Sequence, residues 1–411
     1  MMVKLSRLFL ILIVIFVSAI YMPEYYWLSF AERNQYPMAF YSPVLQDFLI
    51  GRFHDSGYYY TDSSGKKYSR KQVDFLLPFN NYRLLAAKGQ MPDSVNGVKI
   101  DLDEVRRNNG TIRVRAKDLD MPVIPLYPLF ESKPPRLKLN MPKEFFRINQ
   151  RFEFIATETN TIAEDLSGIF TSALKQKNFT FPAKGIYGNP TTRKGFDEGY
   201  FIVDAANKLF HVKKVHGKPY CASVPVPDNL RIKNIIVKEN ELREQYGLLI
   251  TEKSEVYYIM YDHYRLQKIP VKSYDSSKDQ LIILSDLFYR IFNVVTDTTL
   301  NSVVTDRKYQ PIDFYEETWP GQEQSLAGVV SRYLFPFTLQ LTKSTSRYVD
   351  FYFDGYHFQA LIVNILFVLL TLGLMKKRNI RIPRKWYDLV LVLITGIYGF
   401  LGVLIFENTD S

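Results

Sequence analysis

Residues 358–375 read F-Q-A-L-I-V-N-I-L-F-V-L-L-T-L-G-L-M, and residues 389–406 read L-V-L-V-L-I-T-G-I-Y-G-F-L-G-V-L-I-F. Each run has 18 residues and no charge, the length at which an apolar helix crosses a bilayer. Between them stand Lys376, Lys377, Arg378, Arg381, Arg384 and Lys385, with no acid among residues 376–386. Short loops rich in Lys and Arg stay on the cytoplasmic side. The pattern predicts two C-terminal transmembrane helices joined by a cytoplasmic loop, with the tail 407–411 outside. That basic loop also offers contacts to anionic lipid headgroups, or a docking point for a cytoplasmic partner. Thr395, Gly396, Gly399 and Gly402 are small residues that let helices approach closely, and Asn364 needs a polar partner in lipid. These five are the candidate helix-packing residues.

Working outward, residues 8–22 form a third uncharged run, L-F-L-I-L-I-V-I-F-V-S-A-I-Y-M, preceded by Lys4 and Arg7. Tyr25, Tyr26 and Trp27 extend it into an interface that favours such rings. It reads as a retained N-terminal anchor. A cleaved signal peptide ending near Val17-Ser18-Ala19 is the alternative. The basic residues keep the N-terminus inside, so residues from about 30 to about 350 lie outside the cytoplasm.

Charge and composition fit this layout. The chain carries +10 overall, but six basic and three acidic residues fall in 356–411, and two and one in 1–30. A charge of +6 is left for the long external part, too little to mark a nucleic-acid binder. The single Cys221 excludes an intramolecular disulfide framework and any multi-cysteine metal site. Aromatic residues at 15% exclude a disordered chain.

The external part divides into a mixed α/β section (31–150) and a β-rich section (151–320). In the first, Ser69-Arg70-Lys71-Gln72 is a capping-box pattern for a short helix ending at Pro78. A second helix over 82–88 and a turn capped by Asp101 follow, then a proline-rich connector over 120–142. In the second, strand–turn–strand units recur at 200–215, 247–261 and 281–294, offset by 47 and then 34 residues. Such spacing suits propeller blades, and a β-sandwich is the alternative. Ala163, Leu166, Phe170, Ala173 and Leu174 form one helical stripe. Residues 321–357 lead back to the membrane as a linker with an interfacial helix and an aromatic belt, and 358–411 is the transmembrane hairpin.

Chemical motifs are sparse. There is no phosphate-binding glycine loop, no H-E-x-x-H and no G-x-S-x-G. The five histidines show no metal-ligand spacing, and His211 and His216 read as structural or surface residues. The most pointed loop holds Asn189, Thr191, Thr192, Arg193 and Lys194. Its hydroxyls and backbone N–H groups can donate, and Arg193 can clamp an anion. An ordinary turn is the alternative. Asp197 and Glu198 follow, able either to pair with Arg193 or Lys194 or to serve as acid and base if a second carboxylate converges. No catalytic residue, metal or cofactor is assigned.

Tyr41-Ser42-Pro43, L-L-P-F-N-N-Y-R (76–83), F-P-A-K-G-I-Y-G-N-P-T-T-R-K (181–194) and D-E-G-Y-F-I-V-D (197–204) give the chain a resemblance to a domain-of-unknown-function family of bacterial membrane proteins. That family has no assigned activity, so no residue role is carried over. Its members are often encoded beside ATP-binding-cassette transporter components. The resemblance implies an accessory role in transport or export and a place in the bacterial cytoplasmic membrane.

The expectation is therefore a multi-pass inner-membrane protein without enzyme activity, bearing a β-rich binding domain outside. Its partners would be lipids, a membrane protein such as a transporter component, or a second copy. A membrane-anchored envelope hydrolase using Asp197 or Glu198 is the alternative.

Overall fold

The structure is a computed structural model that describes residues 2–30, 36–54, 57–135, 139–377 and 386–406. The chain forms two compact units. One is the β unit, 36–296 with 300–317; the other is the membrane unit, 1–35 and 318–411 with the turn 297–299. The boundary expected at 150 falls inside the β unit, where Glu144–Ile148 pairs with Phe152–Ala156 across a tight turn.

The β unit is mainly antiparallel meanders. Gly185–Gly188, Tyr200–Val203, Leu209–Val215 and Lys218–Val224 make one four-stranded sheet. Ile232–Val237, Gln245–Thr251, Val256–Met260 and Leu266–Lys268 make the next. In a third, Gln280–Ser285, Arg290–Val295, Thr299–Thr305 and Pro311–Thr318 are joined by Gly110–Arg115 from earlier in the chain. The three begin 47 and 48 residues apart, a more regular repeat than the sequence suggested. Turn chemistry sets the registers. His216 and Gly217 both take positive φ, the geometry that matches strand twist in a two-residue hairpin.

Successive sheets stack face on face. Phe201, Val203 and Leu209 pack on Ile235, Val237, Leu249 and Ile259. Leu248, Ile250 and Tyr258 pack on Leu281, Ile283, Phe292 and Val294. The strands Gln245–Thr251 and Arg290–Val295 are buried at every position, as strands covered on both faces must be. Upstream, Phe146, Phe152 and Phe154 pack on Tyr200, Ile202 and Phe210, together with the helix Glu164–Gln176. That helix follows its expected stripe at Phe170 and Leu174, and its Ser167 and Thr171 hydroxyls accept from Phe154 N and Phe152 N at 2.9 and 3.1 Å. The capping box forms as read: Ser69 N donates to Gln72 Oε1 at 2.9 Å.

In the membrane unit, the helix Met2–Phe30 and the helix Ala360–Lys377 are long and apolar enough to cross a membrane. The third expected span is corrected. Residues 386–406 are two short helices, Trp386–Thr395 and Ile397–Ile405, broken at Gly396, where φ is +57°. Arg7 meets both ends of this stretch. Its guanidinium pairs with Asp388, and its Nε donates to Phe406 O at 2.9 Å. Gly402 lies against Ile11. The two helices are thus a hairpin that returns to the level where the N-terminal helix begins. Phe406 sits on the N-terminal side, the reverse of what the expected outside tail requires. Residues 407–411 themselves lie outside the described residues.

The break is built. Asn364 Nδ2 donates to Leu393 O, and the Tyr356 hydroxyl donates to Ile394 O, both at 2.9 Å. These satisfy carbonyls that a helix end leaves open. A Cβ on Gly396 would lie 2.1 Å from Asn364 Oδ1, so only glycine fits. Of the other small residues, Thr395 bonds back to Leu391 O at 2.7 Å, and a Cβ on Gly399 would strike that same Thr395 hydroxyl. The expected interfacial helix is Leu326–Leu334, and Val349, Phe351, Phe353 and Phe358 are exposed beside the span. Lys376 and Lys377 are exposed in the last turn of their helix; Arg378, Arg381, Arg384 and Lys385 lie outside the described residues.

Candidate functional site

The loop 189–199 connects two paired strands of one sheet, and tight backbone contacts at both ends hold it. A Cβ on Gly188 would meet the Tyr200 ring at 2.4 Å, and one on Gly199 would meet Val212 O at 2.1 Å. Gly199 also takes φ +70°. The loop is therefore pressed onto its own sheet, and Asn189, Lys194, Asp197 and Glu198 turn inward while Arg193 stays exposed.

Lys194 is the centre of this loop. Its Nζ donates to Asp197 Oδ1 at 2.5 Å, Glu239 Oε1 at 2.7 Å and Asn189 O at 2.5 Å. Asn189 Nδ2 donates to Glu239 Oε2 at 2.5 Å. Asp197 Oδ2 accepts from Phe130 N at 3.1 Å. The side chains of Lys194, Asp197 and Glu239 are only 4%, 1% and 6% exposed. Burial pushes the Asp197 carboxyl up, and Lys194 opposes it. One buried cation thus holds two carboxylates.

Glu198 belongs to a second group. Its carboxylate accepts from Lys213 Nζ and from the Tyr261 hydroxyl. Burial raises its carboxyl, and Lys213 opposes the rise. The Lys213 ammonium lies over three rings, 5.0 Å from the centroid of Tyr246, 5.8 Å from Tyr261 and 5.9 Å from Tyr220. His211 is wholly buried and stacked on Phe201 at 4.3 Å. Its Nε2 faces Glu198 O at 2.5 Å and must donate, because a carbonyl only accepts. Nδ1 then accepts from the Tyr264 hydroxyl at 3.0 Å. Burial first, and Lys213 second, push the imidazole down to about 3.

Between these groups opens a cleft of about 320 Å³. Phe196, Tyr220, Tyr261 and Val215 supply apolar walls; Lys133, Lys213 and Arg243 supply positive charge; Asp197 and Glu198 supply the carboxylates. Arg243 lies over the Phe196 ring at 4.9 Å.

The structure brings together part of what the sequence singled out. Asn189 and Lys194 enter the buried cluster. Arg193 stays exposed, and its N–H donates to Thr191 Oγ1 at 3.1 Å, so the loop closes on itself; Thr192 is half-buried beside it. Of the loop's two cations, Lys194 is thus engaged by the protein's own carboxylates. Asp197 pairs with Lys194, one of the two partners foreseen. Glu239, Lys213, Arg243 and Tyr261 were not foreseen. They stand 15 to 63 positions from Glu198 or Lys194 on other strands and loops, and no spacing rule links them.

No curated protein matches the chain. Among solved structures it is similar to a dihydro-heme d1 dehydrogenase, NirN, in complex with DHE, at 9% identity and a TM-score of 0.22. The match covers 57% of this chain, which spans 57% of that one. The expectation that the protein is not an enzyme is dropped: the similar structure is that of a dehydrogenase, and a likeness this low argues neither for nor against an activity in this chain. At that TM-score, nothing of the enzyme's reaction or cofactor passes to this chain. Residues 38–305 match the model of a family described as a domain of unknown function, DUF4857, and the chain belongs to that family.

Proposed function

We propose that this protein is a membrane-anchored binding protein. Its β unit, a propeller-like row of meanders held outside the bacterial cytoplasm, takes a small ligand into the Glu198–Lys213 cleft. Its membrane unit works with a membrane-protein partner, such as a component of an ATP-binding-cassette transport system. The cleft itself carries the reading: apolar walls with a few convergent charged groups are the usual composition of a small-molecule site. The span helices and the basic residues Lys376 and Lys377 support membrane anchoring with that helix end in the cytoplasm.

Native mass spectrometry of the full chain, extracted from its own membranes in mild detergent, tests both parts. A small-molecule adduct is expected, and Val215→Trp, which fills the cleft, should abolish it. A stoichiometric membrane partner is expected beside it. An adduct that survives Val215→Trp overturns the cleft, and a lone monomer in every detergent overturns the partner.

A further inference from the structure

We propose that the ligand of this cleft is a small anion, a carboxylate or phosphate carried on a flat apolar body. This rests on the reading of the cleft as a binding site. The argument is an accounting of its charges. Both carboxylates on the wall are already engaged. Asp197 uses one oxygen for Lys194 and the other for Phe130 N. Glu198 uses one for Lys213 and the other for the Tyr261 hydroxyl. Neither keeps an oxygen free of a protein donor to receive a ligand cation.

The cations are in the opposite condition. Lys133 and Arg243 are exposed, and among the described residues neither side chain joins an ion pair. Lys213 has three N–H donors and gives one to Glu198, and its ammonium otherwise faces tyrosine rings. The guanidinium of Arg243 is stacked on Phe196, which orients a planar donor fork suited to a carboxylate or phosphate. The charge left for a ligand to neutralise is therefore positive.

The walls define the rest of the ligand. Phe196, Tyr220 and Tyr261 are rings lining one cleft, and about 320 Å³ lies at the small end for ligand pockets. One ring with one anionic group fits such a space. A bound anion would give the two remaining Lys213 donors a partner besides Glu198.

The test is calorimetry on the full chain in detergent with four probes that share a phenyl ring: phenyl phosphate, benzoate, benzyl alcohol and benzyltrimethylammonium. At least one anion is expected to bind at least about tenfold more tightly than the alcohol, with the ammonium weakest. The better of the two anions separates phosphate from carboxylate chemistry. Arg243→Ala and Lys133→Ala change exposed side chains, and each should weaken the anion about fivefold or more while leaving the melting temperature unchanged. Binding of none of the four overturns the cleft as a ligand site. Alcohol or ammonium binding as tight as the anions overturns the anion class and leaves the cleft standing. Anion binding untouched by both substitutions places it elsewhere and overturns the proposal.

Discussion

Arg7 and Asp388, 381 positions apart, meet in a two-point ion pair: Nη1 to Oδ1 at 2.9 Å and Nη2 to Oδ2 at 3.0 Å. Asp388 is 2% exposed and Arg7 13%. The same guanidinium also reaches Phe406 O, so one side chain ties the start of the first helix to both ends of the 386–406 hairpin. Removing one partner of a buried pair leaves the other charged and unpaired, at a cost of about 3–5 kcal/mol. Arg7→Ala and Asp388→Ala should each lower the melting temperature of the purified chain clearly. The exchanged pair, Arg7→Asp with Asp388→Arg, should recover part of the loss. Equal melting of all variants would remove the clasp.

The hairpin brings Phe406 back beside Arg7. A fluorescent protein fused after Ser411 is expected to fluoresce, and alkaline phosphatase at the same place to stay inactive, because Phe406 returns to the side of Arg7. Active phosphatase there would restore a single continuous span over 389–406.

Gly396 sets the turn. Its φ of +57° and the approach of Asn364 Oδ1 both exclude a side chain. Gly396→Ala should cost about 1–3 kcal/mol, the range for a residue forced into such backbone. Thermal unfolding in detergent reads this. An unshifted transition would show that the turn does not need glycine.

Lys194 neutralises two buried carboxylates. Lys194→Met should destabilise the β unit by about 3–5 kcal/mol. Adding Asp197→Asn and Glu239→Gln should return part of it, since amides tolerate burial without a cation. Denaturant unfolding followed by tyrosine fluorescence measures both. A variant as stable as the parent would contradict the cluster's role.

His211 makes stability depend on pH. Its folded value of about 3 lies below the ordinary 6.5, so the unfolded chain binds the extra proton between them. Its contribution is complete above pH 6.5 and falls by about 1.4 kcal/mol per unit as pH drops through that window. Asp286 acts in the opposite sense. Burial raises it to about 6, so its contribution is lost as pH rises from 3.8 to 6, and Asp197 and Glu198 are also raised. The stability gap between the parent chain and His211→Gln isolates the histidine. It should be widest above pH 6.5 and narrow towards pH 4. A gap constant with pH would mean that His211 titrates normally.

Much of this architecture is written locally. Apolar runs free of charge mark the two helices that are long and apolar enough to cross a membrane, because a bilayer selects first on length and composition. Ser69 and Gln72 announce a helix start three residues apart, whereas the turn at His216 and Gly217 shows only in their positive φ. The spacing of the sheets was legible only in part: the sequence offsets of 47 and 34 become 47 and 48 once the pairing defines where each sheet begins.

What the sequence could not determine is where distant charges meet. An 18-residue apolar run with three glycines serves equally as one span or as a folded pair. The choice fell to Arg7, which has partners at both ends, and to Asn364, which caps the break. The cleft and the buried cluster beside it likewise exist only because the fold brings Lys213, Tyr261 and Arg243 to the one and Glu239 to the other, around a loop whose own residues gave two carboxylates and two cations. Side-chain charge is visible in a sequence. Which opposite charge satisfies it, and so which cation is left for a ligand, is settled by burial and proximity in the folded chain.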